Sequence, residues 1–368
     1  MEAIILAGGK GTRLMPLTKY LPKPLIPLTN RAFILSLIYK LIDCGYDRII
    51  ISVGHNTNAF LESFRRLKFD AEIIFAHEEE PLGTGGAIKY ASQYMQGDNV
   101  LVLNGDIFSS INYADLRDFH SKQNAYATLT VKEVENPLRF GIVITNSEGR
   151  ITNFMEKPEI IIPQEREINA GIYILERELI NQIPNGAVSL ERMVFPQILN
   201  NDMPMMTYKE EEIFWSDLGT CEDYLATHKY ILEHKEIMPQ CNKAEEVMDG
   251  IFAQESVSLP EDITLIKPVM LGKNVKIKEN CVIGPYVTLG DECDIGKNSE
   301  ISNSVLWNNT HVKEHSLIDN TISGRHSTLC SNVQNEVVAD GGLAGKLGVI
   351  NYTKNYTGNN IFFPKKIG

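Results

Sequence analysis

Cysteine chemistry is nearly absent from this 368-residue chain. Its six cysteines (Cys44, Cys221, Cys241, Cys281, Cys293, Cys330) form no C-x-x-C pair, so a structural zinc site has no support and reduced, mostly buried thiols are expected. No apolar run reaches bilayer-spanning length. The N-terminus enters strand-like sequence with neither a basic segment nor an apolar signal core, which points to a cytoplasmic protein with no membrane partner. A basic excess is missing too: the net charge is −12, which argues against a nucleic-acid partner. No G-x-S-x-G or other triad motif is present, so nothing calls for a Ser, Cys or His nucleophile. With 43% hydrophobic and 22% charged residues, the composition is that of a soluble globular protein long enough for two or three domains.

What is there begins at once. A short apolar strand, Ala3–Leu6, runs into Ala7-Gly8-Gly9-Lys10-Gly11-Thr12-Arg13-Leu14, followed by Pro22-Lys23-Pro24. Gly8, Gly9 and Gly11 let the backbone approach a bulky ligand with N–H groups facing it. Arg13 and Lys23 add two fixed cations. Four prolines (Pro16, Pro22, Pro24, Pro27) are expected to keep the following segment extended. A P-loop is excluded because no Lys-Ser or Lys-Thr closes the loop. A dinucleotide fingerprint is excluded because Leu14 occupies its third glycine position.

Beyond the loop, strand and helix patterns alternate through Val100–Leu103, which predicts an α/β fold with a mainly parallel, Rossmann-like sheet. Ligands bind such sheets at the carboxyl ends of the strands, where the glycine loop and Asp106 both fall. From about residue 126 the strands crowd together and suit antiparallel additions carrying one side of a pocket. Residues 1–235 read as a catalytic domain and 236–256 as a linker. From 257 to 368 a different rule holds. Leu259, Leu265, Leu271, Ile277, Ile283, Leu289, Ile295 and Ile301 recur every sixth residue, slip near Asn303–Asn308, and resume at Leu306, Val312 and Ile318. This hexapeptide period resembles that of left-handed parallel β-helices. Leu347-Gly348 and Ile367-Gly368 read as late coils.

The loop resembles the G-G-x-G-T-R…P-K motif of the nucleotidyltransferases that activate sugar 1-phosphates, and other segments follow in that family's order. Trp215-Ser216-Asp217-Leu218-Gly219-Thr220 matches W-x-D-x-G-T. Glu156-Lys157-Pro158 matches E-K-P, Asn169-Ala170-Gly171-Ile172-Tyr173 resembles N-A-G-x-Y, and Phe140-Gly141 resembles F/Y-G. Gly83-Thr84-Gly85-Gly86-Ala87 is similar to a G-T-A-G-A loop, with Gly85 in place of alanine. The resemblance implies that Leu6, Gly8, Gly9, Gly11, Thr12, Arg13, Gly83 and Thr84 bind a nucleoside triphosphate. It gives Arg13 and Lys23 the catalytic cations, and Gly141, Glu156, Lys157, Asn169 and Gly171 the sugar 1-phosphate. It implies Mg²⁺ held by Asp106 and Asp217, a donor set that suits an ion preferring few carboxylates plus phosphate oxygens.

The expected reaction is NTP + sugar 1-phosphate giving NDP-sugar + pyrophosphate. The wording of the motifs looks closest to the mannose-1-phosphate guanylyltransferase type, with thymidylyl or uridylyl transfer to glucose 1-phosphate as the alternative. An inactive regulatory subunit of the same fold is a further reading, disfavoured because Arg13, Lys23, Asp106 and Asp217 are intact. Acyl transfer by the β-helix, with His311, His315 or His326 as base, is a third, and turn or surface histidines are the simpler account. The open edges of a β-helix suggest a homo-oligomer.

Overall fold

The computed structural model describes residues 1–9, 11–54, 57–159, 166–239 and 242–345, together with the strand Asn360–Phe362. Cys241 and the expected late coils at Leu347-Gly348 and Ile367-Gly368 lie outside the described residues. By contacts the chain divides into two compact bodies. One comprises Met1–Gly9 and Leu37–Asp217; the other comprises Lys10–Ser36 and Leu218–Gly368.

The first body is built on a nine-stranded mixed sheet. Its parallel part runs Asn99–Asn104, Glu2–Leu6, Arg48–Val53, Glu72–His77. These strands are nearly continuous apolar runs, as parallel strands covered on both faces must be. Gly45 follows the helix Phe33–Asp43 at φ +84°, a left-handed stop that suits glycine. Glu167–Glu176 pairs antiparallel with Asn99–Asn104 and continues the sheet to Gly141–Thr145 and Ile151–Glu156; Ala127–Glu133 and Met205–Tyr208 branch beside it. The expected parallel sheet with antiparallel additions is thus observed. One core, including Ile4, Ile50, Val102, Leu129 and Tyr173, lies against it.

In the second body, the proline-rich segment is not extended. It folds into three 3₁₀ turns, Thr12–Leu14, Leu17–Lys19 and Lys23–Leu25. A fixed φ serves a tight turn as well as an extended chain, and Pro16 and Pro24 sit at turn starts where no N–H is required. After the helix Cys221–Glu233 the chain forms a three-sided parallel β-helix, consistent with the left-handed coil that the six-residue period implies. Leu271, Ile277, Ile283, Leu289, Ile295 and Ile301 are buried on its axis. Leu259 is 38% exposed instead, since at an end of the stack no further coil covers it. Register explains the slip: Leu271 pairs with Leu289, but Leu289 pairs with Leu306, one residue short of the earlier spacing. Rungs begin at Ile251–Ala253, within the segment that reads as a linker, because Phe252 packs outward against Leu232 and Met270.

Among the described residues, no helix is long and apolar enough to cross a membrane. The described cysteines are free thiols, four of them buried and Cys44 half-buried.

Candidate functional site

Glu2–Leu6 and Asn99–Asn104 run parallel, with Leu6 opposite Asn104. The strand order reverses here: successive parallel strands are added on one side of Glu2–Leu6, then Asn99–Asn104 is laid on the other. A crevice opens at such a switch point. Gly8 and Gly9 leave the first strand and Gly105-Asp106 the second. The Gly105 N–H donates to the Leu6 carbonyl at 2.9 Å, and a Cβ at 105 would lie 2.6 Å from that oxygen. Only glycine permits this approach of the two strand ends.

Register then strings the residues expected on the sugar side along the same end of the sheet. Gly171 precedes the Ile172–Leu103 pair and so lies beside Asn104. A Cβ on Gly171 would stand 2.6 Å from the Asn104 side-chain nitrogen, and φ is +72°. This residue sits in a bulge between the Asn169–Val131 and Tyr173–Leu129 pairs. Asn169 follows Ile168, which pairs with Ile142, next to Gly141; Gly141 in turn pairs with Glu156. Glu156 and Lys157 form an ion pair at 3.3 Å, with 15% and 57% of their side chains exposed. Lys157 takes a left-handed φ of +49°, and its N–H donates to the Phe140 carbonyl.

Two aromatic residues that the sequence reading did not single out hold this row. The Trp215 indole N–H donates to the Ala170 carbonyl at 2.8 Å, and its ring meets Phe140 edge-on at 5.4 Å. The Tyr173 hydroxyl accepts from the Asn169 amide at 2.7 Å, while the Asn169 carbonyl oxygen accepts from the Gly171 N–H at 3.0 Å. Burial pushes the Tyr173 phenol well above its ordinary range; the negative charge of Glu191 adds to this, the Asn169 hydrogen bond opposes it, and Glu156 and Asp106 raise it further. The signal for Trp215 lay inside the W-x-D motif, read there only for its aspartate.

Asp217 ends the strand Trp215–Asp217, which pairs antiparallel with Ile107–Ser109 so that Asp217 lies opposite Ile107. Asp106 is the residue before that partner. The short ladder brings the backbones of two aspartates close together, although more than a hundred residues separate them in sequence. An oxygen-only pair of this kind fits Mg²⁺, which takes one or two carboxylates and fills its remaining positions with water and phosphate oxygens.

On the other side of Glu2–Leu6, Gly8 lies near Glu78, with an added Cβ 3.3 Å from Glu78 Oε1. Glu78 is buried and accepts from the Ser52 hydroxyl at 2.6 Å and from the Leu82 N–H at 3.1 Å. Gly83 opens the helix Gly83–Ala91 at φ +67°, and a Cβ there would meet the Val188 carbonyl at 2.7 Å. A Cβ on Gly86 would lie 2.2 Å from the Gly186 carbonyl. These glycines let the helix start pack on the segment 186–190. The Thr84 hydroxyl donates to Glu191 at 2.6 Å and accepts from the Leu190 N–H at 2.9 Å, which fastens the same joint.

Gly11, Thr12, Arg13 and Lys23 belong to the second body. There Gly11 adopts φ +60°; an added Cβ would lie 3.0 Å from Lys23 Cβ and 3.2 Å from Thr18 Cγ2. The Thr18 hydroxyl donates to the Gly11 carbonyl at 2.7 Å. Lys23 and Thr18 therefore both pack against Gly11. Lys23 is buried, whereas Thr12 and Arg13 are exposed. The three histidines considered for acyl transfer occupy turn and surface positions: His311 pairs with Asp294 at 3.1 Å, and His315 and His326 sit at left-handed corners of the coils.

Comparison with known proteins gives the family of the chain. Residues 2–234 match the family model described as nucleotidyl transferase, and residues 265–346 match that of the GMPPB C-terminal domain. The chain is 38% identical over 228 residues to the mannose-1-phosphate guanylyltransferase of Mycobacterium tuberculosis, a stretch covering 61% of this chain and 63% of that protein. It is 31% identical over 339 residues to the probable mannose-1-phosphate guanylyltransferase 1 of Oryza sativa, covering 89% and 87%. Among solved structures, HddC from Yersinia pseudotuberculosis complexed with GMP-PN superposes with a TM-score of 0.53 at 28% identity, covering 61% of this chain and 97% of that one. The match over residues 2–234, more than half of the sequence, leads to one assignment: the chain belongs to the nucleotidyl transferase family.

Proposed function

We propose that the chain is a mannose-1-phosphate guanylyltransferase, converting GTP and mannose 1-phosphate into GDP-mannose and pyrophosphate. A phosphate oxygen of mannose 1-phosphate attacks the α-phosphorus of GTP. The bond from that phosphorus to the oxygen bridging α and β breaks, and pyrophosphate leaves with the electron pair. Both reactants are anions, and two unit charges at ~4 Å repel by ~4 kcal/mol at the effective dielectric of a partly buried site. The protein's work is therefore positioning and charge stabilisation.

Under this reading the backbone of Gly8, Gly9 and Gly11 cradles the triphosphate, and Arg13 and Lys23 offset the charge passing to the leaving pyrophosphate. Leu6, Thr12, Gly83 and Thr84 complete the nucleotide side. Glu156 and Asn169 accept from sugar hydroxyls, Lys157 holds the sugar's phosphate, and Gly141 and Gly171 leave room for the ring. Asp106 and Asp217 would hold Mg²⁺, which supplies charge neutralisation at the reacting phosphate when bound. We place the enzyme in the cytoplasm as a homo-oligomer, the latter supported by the open edges of the β-helix.

The observation carrying this reading is the continuous register from Glu156 through Gly141, Asn169 and Gly171 to Asn104, beside the strand that launches the glycine loop. The choice of guanine and mannose is supported by the named relatives. A matrix of GTP, ATP, UTP and dTTP against mannose 1-phosphate and glucose 1-phosphate, scored by pyrophosphate release, tests it. GTP with mannose 1-phosphate is expected to be fastest. A faster reaction of dTTP or UTP with glucose 1-phosphate would overturn the substrate choice, and no release from any pair would overturn the enzyme.

A further inference from the structure

The segment bearing Arg13 and Lys23 ends in a tight hairpin, Pro27–Leu28 with Arg31–Ala32. Its two turn residues, Thr29 and Asn30, have φ of +48° and +68°. That is the conformation of a type I′ turn, which suits asparagine but strains a β-branched threonine. Thr29 is fully buried besides. A strained residue persists only where its surroundings over-determine it.

Those surroundings are the β-helix and the helix Cys221–Glu233. The Asn30 amide donates to the Leu289 carbonyl at 2.8 Å. Arg31 donates to Gln254 at 2.8 Å and pairs with Asp291 at 3.2 Å; this pair is about one-fifth exposed, so solvent screens it less than a surface pair. The carbonyl of Pro27 accepts from the Tyr224 hydroxyl, and that hydroxyl accepts from the Trp307 indole N–H at 3.0 Å. His228 Nε2 lies 3.4 Å from the same carbonyl, and its Nδ1 lies 3.4 Å from the Thr288 hydroxyl. Tyr224, His228, Trp307 and Thr288 are all buried. A buried polar chain of this kind fixes one arrangement when every member is satisfied.

Pro27 follows directly on the turn that carries Lys23: the Ile26 N–H donates to the Lys23 carbonyl at 3.1 Å, and Lys23 packs on Gly11. We propose that Tyr224, Trp307, Asn30 and Arg31 are positioning residues for nucleotide binding, through which the β-helix sets the conformation of the glycine turn and its two cations. The β-helix is then a brace for one substrate and not for the other. This rests on the reading of Gly11, Arg13 and Lys23 as triphosphate ligands.

The test uses the full-length chain with Tyr224→Phe, which removes one hydroxyl, and with Arg31→Asp alone or combined with Asp291→Arg. In Tyr224→Phe and Arg31→Asp the KM for GTP is expected to rise about tenfold or more, the scale of a small misplacement of binding groups. The KM for mannose 1-phosphate should stay within about twofold. The Arg31→Asp/Asp291→Arg pair should recover most of the loss. In parallel, hydrogen exchange should quicken at the hydrogen-bonded amides of Leu14, Met15, Leu25 and Ile26 in Tyr224→Phe, with the strand Glu2–Leu6 unchanged. Folded variants with the wild-type KM for GTP, or with equal rises for both substrates, overturn the proposal. If the wild type turns over neither substrate, the functional reading falls on its own; the exchange data then decide the brace, and unchanged protection of those four amides rejects it.

Discussion

Asp217 lies opposite Ile107 in a two-stranded antiparallel pair, one residue along from Asp106. The short ladder connects the end of the last strand of the first body to the turn leaving a central strand of its sheet. Replacing either aspartate by asparagine keeps the shape and removes the charge. We expect kcat to fall by roughly 10²- to 10³-fold in Asp106→Asn and Asp217→Asn, the range seen when one electrostatic stabiliser is removed from an active site. The melting temperature should hardly move. Chelation should silence the wild type and added Mg²⁺ restore it, read as pyrophosphate release with both substrates saturating.

Gly141 faces a different constraint. A Cβ there would lie 2.6 Å from Phe154 Cζ and 2.8 Å from Glu156 Oε2, so both contacts, Glu156 included, must be relieved. Glu156 is the residue proposed to grip sugar hydroxyls. Gly141→Ala should therefore raise the KM for mannose 1-phosphate while leaving that for GTP within about twofold. Steady-state kinetics varying one substrate at a time will show whether the effect falls on the sugar side alone.

Gly171 tests backbone and space together. Its φ of +72° and the 2.6 Å approach to Asn104 exclude a side chain. Gly171→Ala should cost about 1–3 kcal/mol in stability, the usual range for a non-glycine residue held in the left-handed region. Urea unfolding monitored by circular dichroism would measure it. A neutral substitution would mean that the bulge relaxes freely.

Glu336 gives a pH signature. Its side chain lines a cleft of about 510 Å³ beside the helix Cys221–Glu233, together with Glu222, Lys229 and Asp319. Oε2 is buried with no hydrogen-bond partner among the described residues, and burial pushes the carboxyl up to about 7. The folded state thus holds this proton to higher pH than the unfolded chain does. Between about 4.5 and 7 folding binds a proton, so stability falls as pH rises through that window. Glu336→Gln should melt higher than wild type at pH 8 and at the same temperature near pH 4. Paired thermal melts at the two values check the sign.

Much of this molecule was readable in advance, for physical reasons that differ by region. Arg48–Val53 and Asn99–Asn104 declare themselves because buried parallel strands must be apolar throughout. The β-helix declares itself because each coil buries the same position, and even the slip near Asn303–Asn308 corresponds to one shortened coil. The proline-rich segment misled because a fixed φ serves both an extended chain and a 3₁₀ turn, and only packing decides between them. Trp215 and Tyr173 were not legible as supports, since hydrogen bonds to Ala170 and Asn169 depend on a bulge invisible in the sequence. The hairpin at Thr29-Asn30 carries no turn signal as strong as Asn-Gly, and its partners Leu289 and Asp291 lie some 260 residues away.

His228 supplies the opposite pH dependence to Glu336. It is buried against Tyr224, whose ring centre is 4.5 Å from its own, and burial pushes the imidazole down to about 4. The unfolded chain regains an ordinary histidine near 6.5, so between about 4 and 6.5 unfolding takes up a proton. Stability from this group is therefore full at neutral pH and is lost as pH falls through that window, by up to about 3 kcal/mol. His228→Asn removes the titration. Its destabilisation relative to wild type, measured by urea unfolding, should be large at pH 7, where the neutral ring packs well, and should shrink by pH 4.5. A constant difference across the two pH values would mean that His228 keeps its ordinary affinity for protons in the folded chain, and that the carbonyl of Pro27 and the hydroxyl of Thr288 accommodate the charged ring.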